Sequence, residues 1–213
     1  MKPLGIIVNP KANRGGAEII GEQVFEAFAK AGIAVINLSA ATALEAKKKA
    51  EELIRSQEIS ALVAVGGDGT TQLCAGIAVP NQIPLGIIPA GSGNDQAREL
   101  NIDLTNIPAA VKNILDSLDA PKRVDAMKVS VSGKEIWSIG SISAGFDALC
   151  ATRANSLRWP KGPNSYIAAL LLELPSFKAI EYHLDVDGEK RVIEAMLCGV
   201  ANVKNFGGGM MIS

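Results

Sequence analysis

Ala61-Leu62-Val63-Ala64-Val65-Gly66-Gly67-Asp68-Gly69-Thr70 is the stretch on which the fold turns. Five apolar residues run without alternation, the pattern of a strand covered on both faces rather than one facing water. The run passes directly into a glycine-rich pentapeptide, and a helix is predicted from there to about Ala78. Glycines let successive backbone N–H groups come close to phosphate oxygens, and a helix N-terminus adds partial positive charge at the same place. Asp68 repels phosphate unless it works with a cation or as a proton acceptor. Thr70 offers a hydroxyl as donor or as a helix cap. Taken alone, the pentapeptide is also compatible with an ordinary tight turn around an Asp–Gly pair.

Reading outward removes that ambiguity. Leu4 to Val8 is another apolar run, ending at Asn9-Pro10, and Ala17 to Ala31 has helical spacing (Ile20, Val24, Phe28) up to Gly32. Ile33 to Leu38 reads as a strand, and Ala43 to Ser56 as a charged helix whose Lys47-Lys48-Lys49 form a solvated face. Beyond the central stretch, strand Leu85 to Ile88 leads into Pro89-Ala90-Gly91-Ser92-Gly93-Asn94-Asp95 and a helix through Gln96, Ala97, Arg98 and Leu100. Repeated strand–turn–helix units predict an α/β fold, a parallel sheet with flanking helices. Ligands of such sheets bind beyond the carboxyl ends of the strands.

Three polar or glycine-rich turns fall on that edge: 9–16, with Asn9, Pro10, Lys11, Asn13 and Arg14; 66–70; and 89–95. The candidate ligand-binding residues are therefore Asn9, Pro10, Lys11, Asn13, Gly66, Gly67, Asp68, Gly69, Thr70, Gly91, Ser92, Gly93, Asn94 and Asp95. Lys11 and Arg14 bring cations, Ser92 and Asn94 bring side-chain hydrogen bonds, and Asp95 suits a helix cap. None of the turns ends in Gly-Lys-Ser/Thr, and Gly91-x-Gly93 lacks the third glycine of a dinucleotide fingerprint.

The rhythm changes at Val124. Val124 to Val131, Glu135 to Ile142, Glu181 to Val186 and Val192 to Val200 read as strands, with hairpin turns at Gly133 and Asp187-Gly188. A partly helical insertion, Asp147 to Phe177, separates the middle two. The expected organisation is an α/β domain over 1–123 and a β-rich second domain over 124–213.

Composition narrows the function classes. With 48% hydrophobic and 20% charged residues the chain is globular rather than disordered. Lys plus Arg (21) nearly cancel Asp plus Glu (22), which argues against a nucleic-acid partner. Cys74, Cys150 and Cys198 form no CxxC pair and read as reduced core thiols of a cytosolic protein, and His183 reads as structural. No apolar run is long enough for a signal peptide or a membrane span, so membrane contact is expected to be peripheral. Trp159, flanked by Arg153, Arg158 and Lys161, is a candidate for such contact, with a packed tryptophan among solvated charges as the alternative.

Gly66-Gly67-Asp68-Gly69-Thr70, together with Gly91-Ser92-Gly93-Asn94-Asp95-x-Ala97-Arg98 and Asn9-Pro10, resembles the catalytic domain of diacylglycerol, sphingosine and related lipid kinases. The likeness continues through Arg123-Val124-Asp125, Gly145-Phe146-Asp147, Asn202 and Gly207-Gly208-Gly209, and so covers the whole chain. It implies ATP at the sheet edge, Mg²⁺, and phosphoryl transfer to a lipid hydroxyl, with Asp68 as base or metal-network residue. An NAD kinase and a non-catalytic binding module are the alternatives. Two departures stand out. Where the family continues Asn-Glu after the first turn, this chain has Gln72-Leu73, so any contact from that Glu is missing. The family also runs on beyond the triple glycine with further acidic residues. The resemblance thus implies a fragment, expected by itself to bind nucleotide weakly and not to turn over.

Overall fold

A computed structural model describes residues 2–10, 16–160, 163–207 and 209–211. Lys11, Asn13 and Arg14 of the first turn, Lys161 and Gly208 lie outside the described residues. The chain forms two compact units, Met1–Gly140 with Asn202–Ser213, and Ser141–Ala201.

The first unit is built on β1 (Leu4–Val8), β2 (Val35–Asn37), β3 (Ala61–Gly66) and β4 (Leu85–Pro89), all parallel, in the order β2-β1-β3-β4. Every residue of β3 is buried, as its unbroken apolar run requires for a strand covered on both faces. One face packs Leu4, Ile6, Val63, Val65 and Ile88 with Val24 and Phe28 of α1 (Gly16–Lys30) and with Val111 and Ile114 of α5 (Ile107–Ser117). The other packs Ile7, Leu62 and Ala64 with Ala46 and Ala50 of α2 (Ala43–Arg55) and Cys74 and Ile77 of α3 (Asp68–Asn81). Thr42 and Glu45 cap α2 reciprocally, satisfying N–H groups its first turn leaves open. Helix α5, absent from the sequence reading, starts at Asn106, whose side chain accepts from Ala109 N at 3.0 Å. A short α4 (Asp95–Glu99) follows the second glycine turn.

Hairpin β5 (Met127–Val131) and β6 (Lys134–Ser138) clusters with this first unit, on the far side of the division expected at Val124. Its turn has φ of +50° at Ser132 and +74° at Gly133, the mirror-image geometry a two-residue hairpin favours. The second unit contains β7 (Ser141–Gly145), α6 (Phe146–Ser156), α7 (Pro163–Glu173), β8 (Ile180–Val186), β9 (Glu189–Ala195) and β10 (Leu197–Ala201). β7 pairs antiparallel with β10, and β8 with β9. Two short strands, β11 (Asn205–Phe206) and β12 (Met210–Met211), close the chain's described part.

Three expectations are corrected here. The run Glu135 to Ile142 is two strands, broken where Gly140 N donates to the Ser138 hydroxyl at 3.2 Å. Val192 to Val200 is likewise split at Met196, because β9 and β10 take different partners. His183 is not a core residue: its side chain is exposed and lies 2.8 Å from the Glu181 carboxylate. The cysteines follow expectation at Cys74 and Cys150, both fully buried, while Cys198 is half-buried. Burial pushes the Cys74 thiol up to about 12. Trp159 is 83% exposed and so is not packed among the described residues. Arg153, one of the cations flanking it in sequence, is paired with Glu173.

Candidate functional site

The carboxyl ends of β1, β3 and β4 are neighbours, so the three turns emerge side by side. Asn9, Gly67, Asp68, Gly69, Thr70, Gly91, Ser92 and Gly93 line one cleft of about 320 Å³. Eight of the fourteen residues singled out in the sequence line this cleft; Pro10, Gly66, Asn94 and Asp95 do not, and Lys11 and Asn13 are not described. Asn9 is held by its N–H to the Val65 carbonyl at 3.0 Å, stitching the first turn to the strand that carries the second.

The two glycine turns touch through their backbones. A Cβ on Gly91 would lie 2.3 Å from the Gly67 Cα, and one on Gly67 would lie 3.0 Å from the Gly91 Cα. This close approach is why both positions hold glycine. Gly69, by contrast, has open space where a side chain would go. Gly67 is the N-cap of α3 and offers no side-chain cap, so the N–H groups of Asp68 and Gly69 have no partner within the helix. Beneath them Thr70 is 4% exposed, and its Oγ1 has no hydrogen-bond partner among the described residues. Two glycine backbones in close contact, an uncapped helix start and an orphaned hydroxyl together fit a bound phosphate.

Asp68 does something the sequence did not disclose. Its Oδ2 accepts from Asn94 N at 2.7 Å and its Oδ1 from Gln96 N at 3.3 Å. Asn94 is itself left-handed (φ 61°, ψ 40°), and its side-chain amide both accepts from Gly91 N at 3.0 Å and donates to Gly91 O at 2.8 Å. Asp68 thus holds the next turn in place across a gap of 26 residues. Two N–H donors also offset its charge, which answers the question of a carboxylate beside phosphate. The carboxylate keeps lone pairs for a cation. Among the described residues no three His, Cys, Asp or Glu side chains gather as a metal site. A single carboxylate fits Mg²⁺ that is bound chiefly through phosphate oxygens and water. Asp95 is buried as the first residue of α4, and the N-cap position expected of it is taken by Asn94.

Two further residues support the site without having been chosen for it. Arg98 donates through Nε to the Gly93 carbonyl at 3.3 Å, and its guanidinium lies 3.4 Å from where a Cβ of Gly209 (φ +105°) would sit. Lys204 N donates to the Glu99 carboxylate at 2.9 Å, so the segment around the triple glycine packs beside the second turn. At the departure from the family pattern, Leu73 is packed against the core under β3, and Gln72 donates through Nε2 to the Trp137 carbonyl at 2.6 Å.

An open parallel sheet whose carboxyl edge carries a cleft lined by Asn9 and two glycine turns is an α/β protein with its candidate site at that edge. Residues 3–129 match the family described as the diacylglycerol kinase catalytic domain, and residues 140–213 the YegS C-terminal NAD kinase beta sandwich-like domain. The chain belongs to the diacylglycerol kinase catalytic domain family. Relatives include a protein named diacylglycerol kinase from Mycobacterium tuberculosis strain ATCC 25618 / H37Rv, 30% identical over 97% of this chain and 66% of its own length. Another of that name from Bacillus subtilis strain 168 is 28% identical over 98% of this chain and 67% of its own. A crystal structure described as a diacylglycerol kinase from Bacillus anthracis str. Sterne shares the fold with a TM-score of 0.68 and 25% identity, over 97% of this chain and 66% of that one. The chain thus spans 66% of the length of the mycobacterial relative.

Proposed function

We propose that residues 1–213 serve an ATP-dependent lipid kinase, with nucleotide bound by 1–123 and the lipid acceptor by 124–213. The cleft that Asn9 shares with the two glycine turns carries this reading, and membership of a kinase family supports it. Backbone N–H groups at the start of α3 and the Thr70 hydroxyl take the phosphate oxygens of ATP, and Asp68 holds the second turn against the first. Mg²⁺, when bound near Asp68, supplies charge neutralisation to the phosphates. The acceptor hydroxyl oxygen of a lipid such as diacylglycerol bonds to the γ-phosphorus as the bond to the β,γ-bridging oxygen breaks. ADP leaves, and the hydroxyl proton passes to a carboxylate. Asp68 is the candidate acceptor of that proton within this chain, alongside its positioning role. A lipid acceptor places the protein at a membrane surface from the cytoplasmic side. Among the described residues no helix is long and apolar enough to cross a membrane.

The test is MgATP titration of the chain, then transfer from γ-labelled ATP by the protein that carries it, with diacylglycerol, phosphatidylglycerol, sphingosine and NAD offered in parallel. Gly67→Val abolishes nucleotide affinity while the fold survives, and Asp68→Asn lowers transfer by ~100-fold or more. Label on NAD alone makes the protein an NAD kinase. MgATP bound without transfer to any acceptor makes it a binding module, and no MgATP binding removes the site.

A further inference from the structure

Helix α3 carries the first glycine turn, yet by composition it is a poor helix. Gly69, Thr70 and Thr71 occupy its first turn, Gly76 its middle and Pro80 its last turn. Glycine and β-branched residues are weak helix formers, and the N-cap glycine contributes no side-chain hydrogen bond. The start of the helix is therefore fixed by tertiary contacts. One face is pinned by burial of Thr70, Thr71 and Cys74. Burial against a core sets which face points inward, but only directional bonds fix rotation and slide of the first turn to a few tenths of an ångström. Side chains from the first two turns make three such bonds: two accepted by the Asp68 carboxylate from Asn94 N and Gln96 N, and one from Gln72 to the backbone of β6.

The bond from Gln72 is the informative one. Gln72 Nε2 lies 2.6 Å from the Trp137 carbonyl, and both residues are half-buried. A backbone carbonyl only accepts, so the Gln72 amide must present its N–H there, and its orientation is set by the partner. The contact spans 65 residues and joins the phosphate-turn helix to a strand that otherwise pairs only with β5. Trp137 is also the start of a segment held by further polar contacts: Asn202 Nδ2 donates to Ile139 O at 3.3 Å and to Asp125 O at 2.7 Å, and Asn202 N donates to Gly140 O at 3.3 Å. Gln72 thus hooks α3 onto a part of the first unit that is itself braced.

We infer that Gln72 is a positioning residue: its hydrogen bond to the Trp137 carbonyl fixes the start of α3, and with it the N–H groups of the first glycine turn. The inference rests on the reading of that turn as a phosphate site for its effect on affinity, though not for its effect on the helix. The bonds that report on the turn are Thr70 N and Thr71 N to the Gly67 carbonyl, at 2.9 and 3.0 Å.

The experiment compares wild type, Gln72→Met and Gln72→Lys by amide hydrogen exchange and MgATP calorimetry. Gln72→Met keeps length and removes the donor; Gln72→Lys restores an N–H donor. In Gln72→Met, exchange at Thr70 and Thr71 accelerates about tenfold and the MgATP Kd rises by about fivefold, the scale of one lost hydrogen bond. Exchange in β1 and β3 stays as in wild type, and Gln72→Lys recovers protection at Thr70 and Thr71. Unchanged protection in Gln72→Met overturns the inference, as does protection lost equally in both variants, which would assign the effect to packing. Should wild type bind no MgATP, the phosphate reading falls alone, and the exchange comparison still decides for or against the tether.

Discussion

The parallel sheet of the first unit and the β8–β9 hairpin of the second are both rich in Val, Ile and Leu, yet they keep those residues in opposite settings. In β1 and β3 every apolar side chain except the half-buried Val8 is buried between two layers of helices. In the hairpin, Ile180, Val186, Val192 and Ile193 are all exposed. The difference follows from connectivity. A parallel pair needs a crossover, and each crossover helix brings its own cover, so the sheet closes its core from nearby sequence. A two-residue turn joins β8 to β9 and brings nothing with it. The second unit holds together more by directional bonds: Ser143 and Tyr166 both donate to the buried Asp147 carboxylate, and Arg153 pairs with Glu173. Core burial secures the one region, polar pairing much of the other.

The sharpest way to break that comparison is to delete matched apolar groups. Ile6→Ala in β1 empties a fully buried position and should cost about 2–5 kcal/mol in denaturant unfolding, whereas Val192→Ala on β9 should stay within about 0.5 kcal/mol. Similar losses at the two sites would mean that the hairpin is as tightly packed as the sheet. Next in size is Tyr166→Phe, which removes one donor from Asp147 and should cost about 0.5–1.5 kcal/mol. Burial, then the hydrogen bond to Asp147 and its charge, push the Tyr166 phenol up. Its contribution is therefore complete below the unfolded value near ~10 and is lost as pH rises toward the folded one. Wild type should lose stability in that alkaline window relative to Tyr166→Phe, and parallel pH curves for the two would remove the claim. The smallest effect is a rate. In the native protein at neutral pH a thiol-alkylating reagent should label Cys198 well before Cys74, whose thiol burial pushes up to about 12, or Cys150, raised by burial and then by Asp147 and Glu173. Mass spectrometry of digests reads the order.

What could be read in advance divides along the same line. The sheet and its two described glycine turns are legible because their signals are local: unbroken apolar runs, then glycines. Hairpin turns at Gly133 and Asp187-Gly188 were legible for the same reason. The strand breaks at Gly140 and Met196 were not, since a run of apolar residues keeps its composition when it changes partner. Asn106 followed by Pro108 marks the start of α5, a cap signal too short to stand out without a longer apolar period behind it. Asp68 shows the limit most clearly. Its residue type suggested charge chemistry, while its two backbone partners lie 26 and 28 positions away and carry no side-chain signature. The same holds for Gln72, where the departure from the family pattern drew attention to a lost carboxylate rather than to an amide with a new partner.

Asn202 N meets Gly140 O at 3.3 Å, and one step further Ser141 stands opposite Ala201 in the β7–β10 ladder. The chain leaves the first unit and returns to it through adjacent rungs of one ribbon. In topological terms the 61 residues of Ser141–Ala201 are a guest inserted at a single point of a host, not the second half of a tandem. A guest whose two ends are neighbours can be exchanged, lengthened or replaced by a tight turn without asking the host to bridge a distance. Variation in this lineage therefore has an open door at that ribbon, and grafting between relatives should be attempted there rather than at a boundary drawn along the sequence.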